Sequence, residues 1–142
     1  MYQYKARVNR VIDGDSVVLD IDLGFDTWMN NQHIRIYGIY TPESRTRDLD
    51  EKARGLMATD HVRLLLEIGD VVTINTHKDS GGKFGRILAR IINVDGMDVA
   101  TALLEENLAV PYYGQSKDEI KQQHLDNREI LILEERFRPD AD

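Results

Sequence analysis

Carboxylate and guanidinium side chains stand out in four short stretches of this sequence. The stretches are residues 11–16 (VIDGDS), 34–44 (IRIYGIYTPES), 83–86 (KFGR) and 103–113 (LLEENLAVPYY). Carboxylates suit hard cations or proton transfer, and guanidinium groups pair with phosphate or carboxylate oxygens. Each stretch alone also has a plain structural interpretation, because turns and strand exits use the same residue types. Their order and spacing along one chain are more specific than any one of them.

The first half of the chain predicts three strands that carry the first two stretches. Residues 4–12 are the first strand, and Asp13-Gly14 is a turn dipeptide that favours positive φ at both central positions. In the second strand an apolar series alternates with residues 18, 20 and 22, which predicts one buried and one solvated face. That series is Val17, Leu19, Ile21 and Leu23. Residues 24–32 are expected to be a loop or turn, and residues 33–39 a third strand whose two faces alternate from Ile34.

The second half predicts helices and two more strands. A helix is expected within residues 49–70, with Gly69 as its stop, and residues 71–77 and 85–94 read as strands. Residues 97–108 predict a short helix, and residues 117–136 a last one. The apolar side of that helix is assigned to Ile120, Leu125, Ile132 and Leu133. Five short strands with early hairpins predict an α+β fold built on a small closed barrel, with three helices.

Composition limits the class of protein. A length of 142 residues with 42% apolar residues is typical of one globular domain with one core. The absence of cysteine excludes disulfides and thiolate metal sites. There is no secretory segment and no apolar run of about 20 residues, so we expect a cytoplasmic protein, bacterial or phage-derived, without a membrane partner. A net charge of −7 argues against tight, non-specific binding to nucleic-acid backbone.

Taken together, the four stretches make the sequence resemble the staphylococcal nuclease-like, or thermonuclease, family. The resemblance covers about residues 5–137, within a single domain over 1–142. The family's "IDGDT" motif corresponds to residues 12–16, its "RL..DTPE" motif to residues 35–43, and its "KYGR" motif to residues 83–86. What this implies is a five-stranded oligonucleotide-binding (OB) barrel with calcium-dependent phosphodiesterase activity on DNA and RNA, acting as a monomer and preferring single strands.

The resemblance also implies roles for individual residues. Asp15 and the backbone carbonyl of Thr41 would bind Ca²⁺, and Glu43 would orient or deprotonate the attacking water. Arg35 and Arg86 would clamp the phosphate. A neighbouring phosphate and a nucleotide would be held by Lys83, Phe84, Tyr112 and Tyr113. Phe84 stands where the family usually has tyrosine, so it can stack on a base but cannot donate a hydrogen bond.

Tyr40 departs from the pattern. The resemblance predicts an aspartate there, as the second carboxylate ligand of calcium, and a neutral tyrosine is a poor ligand for a hard cation. Asp13 is the nearest substitute, but a role in the turn is the simpler interpretation of that residue. The chain is therefore an active nuclease with an altered metal site, a degenerate member that has lost hydrolysis, or an active enzyme carrying a substitution at Tyr40. The alternative function is a non-catalytic OB barrel that binds nucleic acid or protein.

Overall fold

A computed structural model describes residues 2–77 and 86–139 of the protein. The elements in chain order are β1 (Tyr2–Asp13), β2 (Ser16–Asp22), β3 (Trp28–Ile36), β4 (Ile39–Tyr40), α1 (Leu49–Leu65), β5 (Val71–His77), β6 (Ile87–Ile92), α2 (Val99–Glu105), β7 (Val110–Pro111) and α3 (Lys117–Leu133). Five strands close into a barrel in the order β1-β2-β3-β6-β5, and β4 pairs with β7 in a separate small sheet. The predicted α+β fold, a five-stranded barrel with three helices, is confirmed.

The inner face of the barrel follows the alternation read from the sequence, with two exceptions. Val17, Leu19 and Ile21 of β2 are buried in the core. Val18 was assigned to the solvated face but is also fully buried, although it lies outside the main core cluster. Leu23 was assigned to the core but is 41% exposed, because β2 ends at Asp22 and the chain then turns. Burial at strand ends is decided by where the chain turns, which alternation alone does not specify.

The third strand begins earlier and ends earlier than predicted. The turn is confined to residues with positive φ, namely Gly24, Phe25 and Asp26, so residues 28–32 belong to β3 and not to a loop. At the other end Gly38, with φ of 85°, turns the chain out of the barrel. Residues 39 and 40 then pair with β7. Tyr40 therefore stands outside the barrel wall, at the start of the stretch that returns to α1.

Helix α1 starts at a cap that satisfies its first backbone N–H groups. The Asp48 carboxylate accepts hydrogen bonds from the backbone N–H of Asp50 and Glu51. Ala58 and Val62 are buried against the barrel. The helix ends at Leu65 and not at Gly69, which takes its positive φ in the turn that follows.

The face through which helix α3 packs against the protein differs in part from the predicted apolar side. It ends at Leu133 instead of Arg136, and Leu133 and Leu125 of the predicted apolar side are 82% and 37% exposed. Leu131 is the helix residue that is fully buried. The residues one and two turns before it on the same face are His124, Asn127 and Arg128. The other two residues of the predicted side, Ile120 and Ile132, are partly buried, and Ile132 packs against the core. The prediction was wrong for Leu125 and Leu133, because polar side chains of α3 with partners on α1 and at Ala109 share the contact face.

Within the described ranges, none of the helices has the length and apolar character needed to cross a bilayer.

Candidate active site

The turn between β1 and β2 is shaped by close packing and not by positive φ. Neither Gly14 nor Asp15 has positive φ, so the predicted reason for the Asp-Gly dipeptide was wrong. A Cβ atom on Gly14 would lie 2.8 Å from Ala58 Cβ and 2.8 Å from Thr41 Cγ2. The absent side chain lets the turn approach α1 and the segment after β4. Asp15 is thereby brought beside Thr41.

The segment from Thr41 to Glu43 lies directly on α1. A Cβ on Gly55 would be 2.7 Å from the carbonyl oxygen of Pro42 and 2.8 Å from that of Glu43. The backbone N–H of Glu43 also donates to Oε2 of Glu51, at 3.1 Å. Gly55 was missed in the sequence, although a glycine inside a helix is a signal of close packing because it costs helix stability. Together these contacts fix the backbone while the Glu43 side chain stays exposed.

Arg35 is held in place from several sides. It pairs with Ser16 across the β2–β3 ladder, beside the turn that carries Asp15. Its Nη1 donates to the carbonyl of Ile36 at 2.8 Å, and its Nη2 donates to the carbonyl of Ile39 at 2.7 Å. Nη1 is 3.8 Å from Oδ2 of Asp15. The guanidinium has five N–H donors, so these contacts leave donors for an anion.

These elements enclose a cavity of about 290 Å³. The wall is formed by Asp13, Asp15, Ser16, Arg35, Tyr40, Thr41, Pro42, Glu43, Ser44 and Arg86. Six sequence-predicted positions, from Asp15 to Arg86, are thus brought to one place from separate parts of the chain. The parallel pairing of Ile34 with Ile87 places Arg86, which precedes β6, at the same end of the barrel as Arg35.

The remaining predicted residues are not on this wall. Tyr112 is 46% exposed and contacts Tyr40 edge-on, with ring centroids 4.6 Å apart. Tyr113 is 63% exposed, and its hydroxyl accepts a hydrogen bond from Gln123. Lys83 and Phe84 fall outside the described residues. Beside the cavity, at the start of α1 and just before it, Arg45, Arg47 and Lys52 are exposed, whereas Arg54 is buried and pairs with Asp50 at 2.9 Å.

Asp13 belongs to the cavity, contrary to its interpretation as a turn residue alone. Its Oδ1 does accept the backbone N–H of Asp15, as a turn residue would. Burial, followed by the charges of Asp15 and Glu43, raises the pKa of Asp13 to about 6. Asp20 and Asp22 lie elsewhere and accept hydrogen bonds from backbone N–H groups near the β2–β3 turn, and Asp48 caps α1.

The donors around the cavity do not fit the two-carboxylate calcium site that the resemblance implies. Asp15 and Thr41 are on the wall, but the ring of Tyr40 lies beneath the Arg35 guanidinium, whose Cζ is 4.9 Å from the ring centroid. In the part of the chain that the structure describes, no three Asp, Glu or His side chains are placed to share an ion. Calcium takes six to eight oxygen ligands. One expected carboxylate is replaced by an aromatic ring that is already in contact with a cation.

A second, larger groove of about 550 Å³ lies between α1 and α3 and shares Tyr40, Thr41 and Glu43 with the cavity. Its floor includes Arg54 and His124, and its rim carries Lys117 and Lys121. Burial, and then the charge of Arg54, lowers the pKa of His124 to about 4. His124 is partly buried, and its Nδ1 is fully buried.

Comparisons with known proteins bear on this site. The sequence profile of the family described as Staphylococcal nuclease homologue matches residues 33–135, a segment that includes Arg35, Glu43 and Arg86. Asp15 precedes that segment. Among characterised proteins, the chain is 27% identical over 116 residues to Endonuclease YhcR of Bacillus subtilis (strain 168). The match covers 78% of this chain and 9% of that much longer protein.

Proposed function

Since the chain belongs to the staphylococcal nuclease homologue family, we propose that it hydrolyses phosphodiester bonds of nucleic acid at the cavity beside the β1–β2 turn. The observation that carries the proposal is the convergence of Arg35, Glu43 and Arg86 on that cavity from three separate parts of the chain. Two guanidinium groups and an exposed carboxylate around one small space are the components that attack of water on a phosphodiester requires. The same family membership supports nucleic acid as the partner of this chain.

Arg35 is the group that we assign to the phosphate. Its guanidinium is fixed by two carbonyls, so little reorganisation is needed when charge develops on the phosphoryl oxygens. The side chain is 15% exposed, and a partly desolvated ion pair is stronger than one in water. Arg86 is exposed and lines the same cavity, so it would complete a clamp once the phosphate is bound.

Glu43 is assigned to the attacking water. It would accept a proton from water while the water oxygen forms its bond to phosphorus and the bond to the leaving sugar oxygen breaks. The leaving oxygen then takes up a proton from solvent or from the protonated Glu43. Attachment of the Glu43 backbone to α1 through Glu51 and Gly55 keeps the carboxylate at the cavity. Positioning of this kind supplies much of the advantage of an enzymatic over a solution reaction.

DNA and RNA are the proposed substrates, preferably as single strands. The exposed rings of Tyr112 and Tyr113 lie on one side of the site and could stack on unpaired bases. With a net charge of −7, binding should depend on such local contacts more than on long-range attraction. Duplex DNA hides its bases from stacking, so cleavage of duplex should be slower.

Calcium is the cofactor that the family resemblance predicts, and we propose that this chain binds it weakly. Asp15 and the Thr41 carbonyl are the donors in place, and no step above is assigned to the ion. The alternative function, a non-catalytic barrel that binds nucleic acid, draws its support from Tyr40 at the position of the second carboxylate.

A cleavage assay decides between them. A 5′-labelled single-stranded oligonucleotide, as DNA and as RNA, is incubated with the protein plus calcium or plus chelator. Glu43→Gln is the inactive comparison, and Glu105→Gln, on the exposed surface of α2, is the matched control. We expect cleavage by the unmodified chain and by Glu105→Gln, and its loss in Glu43→Gln. Equal product with all three proteins would point to a contaminating nuclease, and retention of the labelled strand without cleavage would favour the binding module.

A further inference from the structure

The position at which the family resemblance predicts a metal-binding carboxylate holds an aromatic ring with two defined contacts. Tyr40 lies against Tyr112 on one side and beneath the guanidinium of Arg35 on the other, 4.9 Å from ring centroid to Cζ. A cation within about 6 Å of a ring face is attracted by the ring quadrupole, more strongly where water is partly excluded. The Arg35 side chain is 15% exposed, so that condition is met.

The Arg35 guanidinium has polar contacts in addition to the Tyr40 ring. The carbonyls of Ile36 and Ile39 accept two of its N–H groups, and Asp15 approaches one edge at 3.8 Å. The Cζ atom of Arg35 lies over the ring of Tyr40, so the ring adds an aromatic contact to these polar ones. Ile39, which supplies one carbonyl, is the neighbour of Tyr40 in β4, so the same two-residue strand provides both a hydrogen bond and the aromatic contact.

We propose that Tyr40 is a positioning residue that acts through Arg35: it holds the guanidinium in the orientation in which its remaining N–H groups face the cavity. This inference rests on the proposed function for its catalytic consequence, but its structural content does not. Where the family resemblance predicts a metal-binding aspartate, this chain has a tyrosine that supports the phosphate-binding arginine. An aromatic ring is required and the phenolic hydroxyl is not.

The first test needs no activity. In ¹⁵N-labelled protein, the Arg35 side-chain resonances report how fast the guanidinium rotates. We expect slow rotation, with separate Nη signals, in the unmodified chain and in Tyr40→Phe, and averaged signals in Tyr40→Leu. Tyr40→Met serves the same purpose if the leucine variant does not fold. Separate signals that persist in the folded leucine or methionine variant would overturn the proposal.

The second test is a double-mutant cycle on oligonucleotide cleavage. Tyr40→Leu should lower kcat/KM by about five- to thirty-fold, the range that a cation–π contact supports, whereas Tyr40→Phe should change it by less than about threefold. In an Arg35→Ala background the leucine substitution should cost less than about twofold, because the group it acts through is gone. Tyr37→Leu is the control, since the Tyr37 ring stacks on His77 and not on Arg35.

The two tests separate the inference from the function on which it rests. Equal losses for Tyr40→Leu with and without Arg35 would overturn the positioning role. If the unmodified chain does not cleave at all, the proposed function fails, and the rotation of Arg35 in the Tyr40 variants still decides whether the ring holds the guanidinium.

Discussion

The small cavity beside the β1–β2 turn and the larger groove between α1 and α3 meet at Tyr40, and each holds one ionisable group whose pKa is shifted by burial. In the cavity, burial raises the pKa of Asp13 to about 6. In the groove, burial lowers the pKa of His124 to about 4. Both shifts disfavour the charged form of a partly buried group. The two regions therefore differ in the kind of group whose charge is disfavoured, which is a carboxylate in the cavity and an imidazole in the groove.

The arrangement of the cations also differs. Arg54 of the groove is buried and pairs with Asp50, which itself pairs with Arg128 at 3.1 Å. Burial alone would raise the pKa of Asp50, but hydrogen bonds from Arg128 and Arg54 outweigh it and hold that pKa below its ordinary value. Arg35 of the cavity contacts mainly backbone carbonyls and keeps donors for an anion. The larger space is therefore not the better phosphate site.

Removing one cation from each region shows which of the two binds the phosphate. Arg35→Ala should lower kcat/KM for oligonucleotide cleavage by about 10²- to 10³-fold, the loss typical of one preorganised donor to a transition-state oxyanion. Lys121→Ala, on the rim of the groove, should change it by less than about threefold. A comparable loss in both variants would show that the groove also binds substrate.

Gly55→Ala tests whether α1 holds the catalytic segment in place. The added methyl would lie 2.7 Å from the Pro42 carbonyl, so the segment or the helix must shift. We expect a loss of about 1–3 kcal/mol in the free energy of unfolding, by the cost of overpacking, together with a lower kcat. Urea denaturation and cleavage rates measure the two effects. Leu56→Ala, at a neighbouring exposed position of the helix, is the control, and an unchanged kcat in Gly55→Ala would contradict the packing role.

Tyr40→Asp restores the carboxylate that the family resemblance predicts. The half-maximal calcium concentration for cleavage should fall by about tenfold or more, because a second charged oxygen ligand joins Asp15. Calcium titration with a chelator-treated reference measures the change. Tyr40→Asn, which offers a neutral oxygen, is the matched comparison. If both variants respond like the unmodified chain, position 40 does not contribute to a calcium site here.

The smallest effect is expected from His124, through the dependence of the free energy of unfolding on pH. Because its folded pKa is lowered to about 4, the unfolded chain binds the proton more readily below its ordinary pKa of 6.5. Stability from this residue is complete above about pH 6.5 and is lost as the pH falls towards 4. Allowing for solvent at a partly exposed ring, we expect about 1–2 kcal/mol.

Urea denaturation between pH 7 and pH 4.5 checks this expectation. His124→Gln should reduce the loss of stability on acidification, and His33→Gln, at an exposed position of β3, is the control for the loss of a histidine. The same slope in His124→Gln and the unmodified chain would mean that the imidazole is not the responsible group.

Sequence patterns predicted burial best in the elements that pack against one partner, the barrel core. The barrel strands bury alternate residues against one core, so Ile34 and Ile36 were correctly assigned inside and Arg35 outside. The predicted face of helix α3 was only partly right, because polar residues that find partners such as Asp50 from distant parts of the chain share the contact with Leu131 and Ile132. Hydrophobic periodicity contains no information about such partners.

The sequence by itself predicted the barrel, the family resemblance and Arg35, Glu43 and Arg86 as candidate site residues, since those follow from local pattern and motif order. Three contacts became visible in the folded protein alone. Asp13 lines the cavity, and Gly14 and Gly55 leave room for the Thr41–Glu43 segment. The third contact is that of the Tyr40 ring with the Arg35 guanidinium. Those contacts join residues that are far apart in the chain or that share no repeating spacing. The distances between them are fixed by how the turn, the barrel and α1 pack together, and the sequence specifies that packing only through the whole fold.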